Sequence, residues 1–456
     1  MSSFYSRALS FASLAFLSFA NADLIPYIQD EAYDRGDLGS YPLQTYRSSS
    51  LNAPRPNILA SDRSCDDGSY IFMNPRGHQV PDPNPVILDG AGNLVWTLPG
   101  KPYGQTYNFN VQEYDGEQYL TFWGGDDAIG GHGQGSYYML DKTYTQVREI
   151  NAVGPTPGDL HEFRFTKNGT ALMTVYDVTP MDLSSIGGPV EGWVWDGSIQ
   201  ELDLRTGELI FQWKSTSHYT IEDGYNGYGG GGDSPSSPYD YYHINSIDKD
   251  DFGNYLVSAR YTHSVTYIDG RTGEVLWQLG GKRNNFTDLT AGRATNFAWQ
   301  HDARWHDNHT TITLFDNEAE SGFASADFSR GLKIEVDTEA MTASLVTEYI
   351  NPQHILSSSQ GSVQVLPNGH VLLGYGYAGA FTEFSANGGV LCDVHFGAAS
   401  RFQSGDVQSY RVLKGAWTGF PNTRPDIKID GESVFVSWNG ATEVHRWVLQ
   451  DADQPD

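Results

Sequence analysis

Three stretches of the sequence begin with a histidine and then follow one pattern: "HEFRFTKNGTALMTVY" from His161, "HINSIDKDDFGNYLVSAR" from His243 and "HDARWHDNHTTITLFD" from His301. Each alternates apolar and polar residues, breaks at a turn signal and alternates again, which is the pattern of a β-hairpin. Folding the second stretch about Asp251 and Phe252 brings Arg260 opposite His243. The same register brings Tyr176 near His161 and Asp316 near His301. One such histidine alone would ordinarily serve a buried carbonyl or a strand end. Three in register with an arginine suit different chemistry. Buried charge without a partner makes a poor core, but a ring of imidazoles with one guanidinium is a good way to hold an anion. The candidate catalytic set is therefore His161, His243, His301 and Arg260. Asn108, Tyr176, Tyr242 and Asn245 are candidates for substrate contact, and Asp302 or Asp316 for orienting the His301 ring.

Something must bring three distant hairpins to one point. Segments ending in the form D-x-x-T-G-E-h-h-h-x-W, where h is apolar, recur along the chain. The clearest are "GSIQELDLRTGELIFQW" (197–213) and "HSVTYIDGRTGEVLWQL" (263–279), with weaker forms at 136–150, 330–350 and 380–396. Units of four short strands at a period of about 40 to 55 residues are propeller blades. The chain is predicted to be all-β, a six-bladed β-propeller with units near 65–100, 106–152, 158–216, 242–280, 297–350 and 358–397. "ESVFVSWNGATEVHRWVL" (432–449) is left to close the ring on the first blade or to begin a seventh. The first strand of each blade lines the central channel, so the three histidines converge on the axis, with Asn108 and the stretch around Gln360 at the same position in two other blades. Cys65 in the first blade and Cys392 in the last are then neighbours, and a disulfide between them would clip the closure.

The loops "WGGDDAIGGHGQGSYY" and "EDGYNGYGGGGDSPSSPYDYY" flank the histidine mouth. They lack the lysine and following helix of a phosphate-binding loop and read either as linkers or as an aromatic rim for a flat substrate. Asp248, Asp250 and Asp251 lack the closing glutamate of a calcium loop and read as turn residues.

The net charge of −28 argues against nucleic acid and anionic membrane surfaces as partners. Residues 1–22 form a signal peptide, with Arg7, a short apolar run and Ala20 and Ala22 before the cleavage point; no later stretch could span a bilayer. Residues 23–64 are an N-terminal extension and 65–456 the propeller domain. Secretion is expected, with sequons at Asn168, Asn285 and Asn308.

The stretches "DLHEF", "HINS" with "SARYTHS", and "WQHDA" with "LFDN" resemble the motifs of arylsulfate sulfotransferases, specifically the fungal-type branch. The resemblance is strong over about 158–317 and looser elsewhere. It implies a six-bladed propeller enzyme, independent of the nucleotide donor PAPS and of any cofactor, that moves a sulfuryl group from an aryl sulfate to a phenolic acceptor. It assigns His301 to the transiently sulfated histidine, and His161, His243 and Arg260 to binding of the sulfuryl oxygens. Residues 23–64 are too few for the N-terminal dimerisation domain of bacterial members, so oligomeric state stays open. Two other readings also stay open: a zinc-dependent lyase or hydrolase built on the three axial histidines, and a non-catalytic propeller that binds glycan or protein through its tyrosine-rich rim.

Overall fold

A computed structural model describes residues 24–320 and 323–448. The signal peptide expected at 1–22 lies outside the described residues. Six antiparallel sheets stand in a ring as a β-propeller, with almost no helix among the described residues. From axis to rim, the second blade runs Gln105–Tyr114, Glu117–Ile129, His132–Leu140 and Gln146–Ile150. The third runs Phe163–Phe165, Thr170–Met181, Gly192–Asp203 and Leu209–Lys214, and the fourth Ile244–Lys249, Tyr255–Ala259, Ser264–Ile268 and Val275–Gly280. The fifth begins with His301–His306 and the sixth with Ser362–Val365. Apolar side chains from adjacent sheets interdigitate between blades, as where Tyr176 and Trp213 of the third blade pack with Ile244 and Tyr255 of the fourth.

The recurring D-x-x-T-G-E segment is the turn between the two outer strands. In it Asp203 accepts from the amides of Arg205 and Thr206, and Gly207 takes φ 75°; Asp269, Arg271, Thr272 and Gly273 repeat the arrangement. The tryptophan that ends the motif reaches the neighbouring blade: Trp213 donates to the carbonyl of Gly273.

Ring closure differs from the expectation in its strand. Val412–Gly415, not 432–449, is the innermost strand of the first blade, pairing Val412 with Met73 and Gly415 with Tyr70. Ser433–Ser437 instead pairs with Asp426–Asp430 as a separate hairpin, and Asn439 and Gly440 then bond the outer edge of the first blade at Thr97 and Val95. Part of the N-terminal extension joins the ring as well. Asn57–Ala60 pairs with Val390–His395 on the rim of the sixth blade, and Tyr27–Ile28 adds outside it. Cys65 and Cys392 form a disulfide across this seam.

The Gly-rich stretch read as a loop in the second blade is a long hairpin, Glu117–Ile129 with His132–Leu140. Its glycines serve close packing: a Cβ at Gly133 would lie 2.6 Å from the Trp123 ring, and one at Gly135 would lie 2.2 Å from the Gly124 carbonyl oxygen.

Candidate active site

The inner strands do not run straight into the channel. Asn108, His243, Asp302 and Gln360 adopt left-handed φ of 56°, 56°, 58° and 65°, and the ladders shift register beside the first three, at Tyr107/Asn110, Ile244/Ser246 and His301/Arg304. A bulge with one strained residue turns the strand head and re-aims its side chain; each such residue costs about 1–3 kcal/mol, which the surrounding sheets must offset.

His161, His243, His301 and Arg260 are brought together and are 3%, 7%, 2% and 6% exposed. As expected from the hairpin register, the Arg260 amide donates to the His243 carbonyl. Its guanidinium donates to the Ser358 carbonyl at 3.0 Å and lies over the Tyr261 ring, while its Nε is buried with no partner among the described residues.

Each imidazole is locked through Nδ1. His161 faces Asp159 at 2.6 Å and His243 faces Asp240 at 2.5 Å. Burial alone would raise these two carboxyls, but the adjacent imidazoles, with His132 beside both, outweigh it and hold them well below the usual carboxylate range. Both Nδ1 atoms therefore carry hydrogens and donate. The two Nε2 atoms meet each other at 3.1 Å. Two bare lone pairs would repel, so a hydrogen on one Nε2 is what makes this contact attractive. Burial, only partly opposed by Asp240, lowers the pKa of His243 to about 3.

His301 is held differently. Its Nδ1 donates to Asn317 Oδ1 at 2.7 Å, and its Nε2 accepts the Gln360 amide at 3.1 Å. Burial first, then the Arg260 charge, lowers its pKa well below the ordinary 6.5. His301 is thus a neutral imidazole with its lone pair on Nε2.

Sequence reasoning missed several residues. His132 was hidden in the stretch read as loop; its Nε2 donates to Asp240 at 2.8 Å, its ring lies 4.0 Å from that of Tyr176, and its buried Nδ1 lies 3.9 Å from Asp159 with no hydrogen-bond partner among the described residues. Burial works against its charge, but Asp240 and Asp159 prevail and raise its pKa. Asn317, not Asp302 or Asp316, orients His301. Asp316 instead accepts from the Ala298 amide and pairs with Arg330, and Asp302 pairs with Arg304. Asp159 and Asp240 precede their histidines by two and three residues, the one signal by which they were findable.

The residues expected at the substrate divide. The Tyr176 ring is beside His161, and its hydroxyl donates to the Ile244 carbonyl. Asn245 donates to the Gln300 carbonyl. Tyr242 points into the interblade core against Tyr219 and bonds Thr266, away from His243. Asn108 belongs one layer down, where it donates to the Leu160 carbonyl and accepts from Arg411. There Glu162 pairs with Arg304 at 2.6 Å and Arg411 at 2.9 Å, and Asp302 pairs with Arg304 at 2.7 Å. This buried layer stops the channel beneath the histidines. A funnel of about 820 Å³ opens from its far side between the hairpin tips.

The sequence model of the Arylsulfotransferase (ASST) family matches residues 110–397, well over half of the chain, including His161, His243 and His301. The chain belongs to the arylsulfotransferase family. That membership supports aryl sulfuryl transfer as the general activity, with small-molecule aryl donors and acceptors. No curated protein matches the sequence. Among solved structures, the chain is similar to a protein of unknown function from Bacteroides caccae (13% identity, 76% of this chain and 99% of that one, TM-score 0.44). It is also similar to the Myceliophteria thermophila Cps50 (Swd1) β-propeller domain (11% identity, 87% and 99%, TM-score 0.39).

Proposed function

We propose that this arylsulfotransferase works without PAPS, through a sulfohistidine at His301. The observation that carries the reading is the state of His301: neutral, with its lone pair on Nε2, beside Arg260 and the paired imidazoles of His161 and His243. His301 Nε2 displaces the Gln360 amide and attacks sulfur. The S–O bond to the aryl group breaks as the N–S bond forms, and the proton held between His161 and His243 passes to the leaving phenolate. Arg260 stabilises charge on the sulfuryl oxygens. An acceptor phenol then returns its proton to the pair as its oxygen takes the sulfuryl group, which restores the starting charges. His132 keeps Asp159 and Asp240 ionised and so keeps both imidazoles in the donating tautomer. The enzyme is secreted in this reading, with Asn168 and Asn308 exposed at hairpin tips away from the histidines.

Incubation with 4-nitrophenyl sulfate and no acceptor should release a burst of nitrophenol and leave one sulfuryl group on the peptide containing "FAWQHDAR". His301→Ala should lose burst and adduct together. Absence of phenol release from several aryl sulfates would sink the proposal.

One observation favours a metal reading. The ligand atoms of His132, Asp240 and His243, and those of His132, Asp159 and His161, lie within 4.8 Å of one another in each group. The Nδ1 atoms of His161 and His243 and the Nε2 of His132 are already committed to carboxylates. An activity that chelators abolish and zinc restores would decide for this alternative.

A further inference from the structure

Beside the reacting centre lies a cleft of about 380 Å³ that the proposed chemistry does not use. Its walls come from Tyr225, His263, Asn296, Phe297, Trp299 and Glu318. The Tyr225 and His263 rings are stacked, with centroids 4.1 Å apart and planes 4° from parallel, and the Trp299 ring meets His263 edge-on at 4.4 Å. Lys282, over the Tyr225 ring, donates to the carbonyls of Glu222 and Gly224 and so pins the loop that carries that ring.

Three stretches of chain lead from the site into this cleft. Arg260 is followed by His263, His301 is preceded by Phe297 and Trp299, and the Asn317 that clamps His301 is followed by Glu318.

The second observation is polar. His263 is 8% exposed, and its Nε2 is buried with no hydrogen-bond partner among the described residues. Burial, then Arg260 and Lys282, lowers its pKa to about 4, so the ring is neutral and Nε2 can accept or donate. Buried polar groups are rarely left unpaired in a finished site. The size also discriminates, because a cavity of about 150 Å³ already suffices for benzene.

We propose that this cleft is an aryl-binding subsite that selects substrates of two or more rings carrying a second oxygen substituent, which bonds His263. The proposal rests on His301 as the reacting centre for its position, but not for its test. Binding is measured calorimetrically on the full-length His301→Ala protein, which needs no turnover, with 7-hydroxy-4-methylcoumarin as the two-ring probe and phenol as the one-ring control. Tyr225→Ala and His263→Phe should each weaken coumarin binding about 3- to 10-fold, the loss of one aromatic contact or one hydrogen bond. His263→Phe keeps the stack and removes only the nitrogen. Phenol binding should stay within about 2-fold of the unsubstituted protein's. Equal losses for both ligands, no loss in either variant, or no binding of the coumarin at millimolar concentration would each overturn the subsite. Selective coumarin binding in a protein that transfers no sulfuryl group would leave the subsite standing and sink only the sulfohistidine reading.

Discussion

Asp240→Asn tests the proton-holding role most directly. One carboxylate oxygen, Oδ2, accepts from His243 Nδ1 at 2.5 Å and from His132 Nε2 at 2.8 Å. The other oxygen, Oδ1, has no hydrogen-bond partner among the described residues, so an amide can keep its own oxygen in the place of Oδ2 and still accept both bonds. What it removes is the charge: the two charge-assisted bonds, worth about 1.5–3 kcal/mol each, become neutral ones. The carboxylate no longer supports a proton on the imidazole pair. The leaving phenolate then departs without help. At 1.36 kcal/mol per tenfold in rate, the loss of 3 to 4 kcal/mol of transition-state stabilisation slows sulfo-enzyme formation by about 10²- to 10³-fold. The deficit should depend on the leaving group. 4-Nitrophenolate is a stable anion and needs little protonation, so its burst should slow only about 10-fold; phenyl sulfate should carry the full loss. Rapid-quench measurement of the first half-reaction across aryl sulfates of graded leaving-group acidity reads this as a steeper dependence in the variant. A uniform loss across the series would show that Asp240 only shapes the site, and would refute the role assigned to the imidazole pair.

Sulfo-enzyme formation should not lose its nucleophile as pH falls through 6.5, because His301 is already neutral there, whereas an ordinary imidazole nucleophile would fade. Stability should respond in two directions. His243 and His263, with folded values of about 3 and 4, resist protons that the unfolded chain takes up below 6.5, so their contribution is complete above 6.5 and is lost on acidification. Asp316, raised to about 8 by burial and Glu318, is stabilising while protonated and loses that contribution as pH rises from 4 through 8; Asp316→Asn should remove the alkaline decline in denaturant midpoint. Glu162→Gln leaves Arg304 and Arg411 short of a buried counter-charge, and urea unfolding should show a loss of about 3–5 kcal/mol. The paired Cys65→Ser and Cys392→Ser substitutions open a link between residues 327 apart, for which chain entropy sets a ceiling of about 6 kcal/mol. A loss below about 1 kcal/mol would show that Val412–Gly415 closes the ring without help.

The blade architecture and the convergence of His161, His243 and His301 were legible because both are written as repeats: a turn motif every blade, and a histidine at one register position in three of them. Arg260 followed from hairpin pairing. What the pattern does not carry is the bulge. A left-handed residue at the head of an inner strand rotates the side chains around it, so Tyr242, next to His243 in sequence, faces the interblade core instead. Glycine-rich sequence misled for a related reason. Between Glu117 and Leu140 glycine marks strands pressed against Trp123, not a free loop, and so His132 escaped notice. Asn317 was passed over for its acidic neighbour Asp316 because charge is visible in a sequence and side-chain direction in a ladder is not. The closing strand, Val412–Gly415, has no turn motif of its own, and only the vacant inner position of the first blade assigns it.

The ion-paired layer of Glu162, Arg304, Arg411 and Asp302 makes the propeller a cup where it could have been a tube. A tube could admit one reactant from each end and bring them together across the axis. A cup has one rim, and both aryl compounds must come and go over it. If the sulfur is held on His301 between the two half-reactions, as proposed, the spent phenol vacates before the next one enters. Double-reciprocal plots for the two substrates should run parallel, and each substrate in excess should obstruct the other's turn.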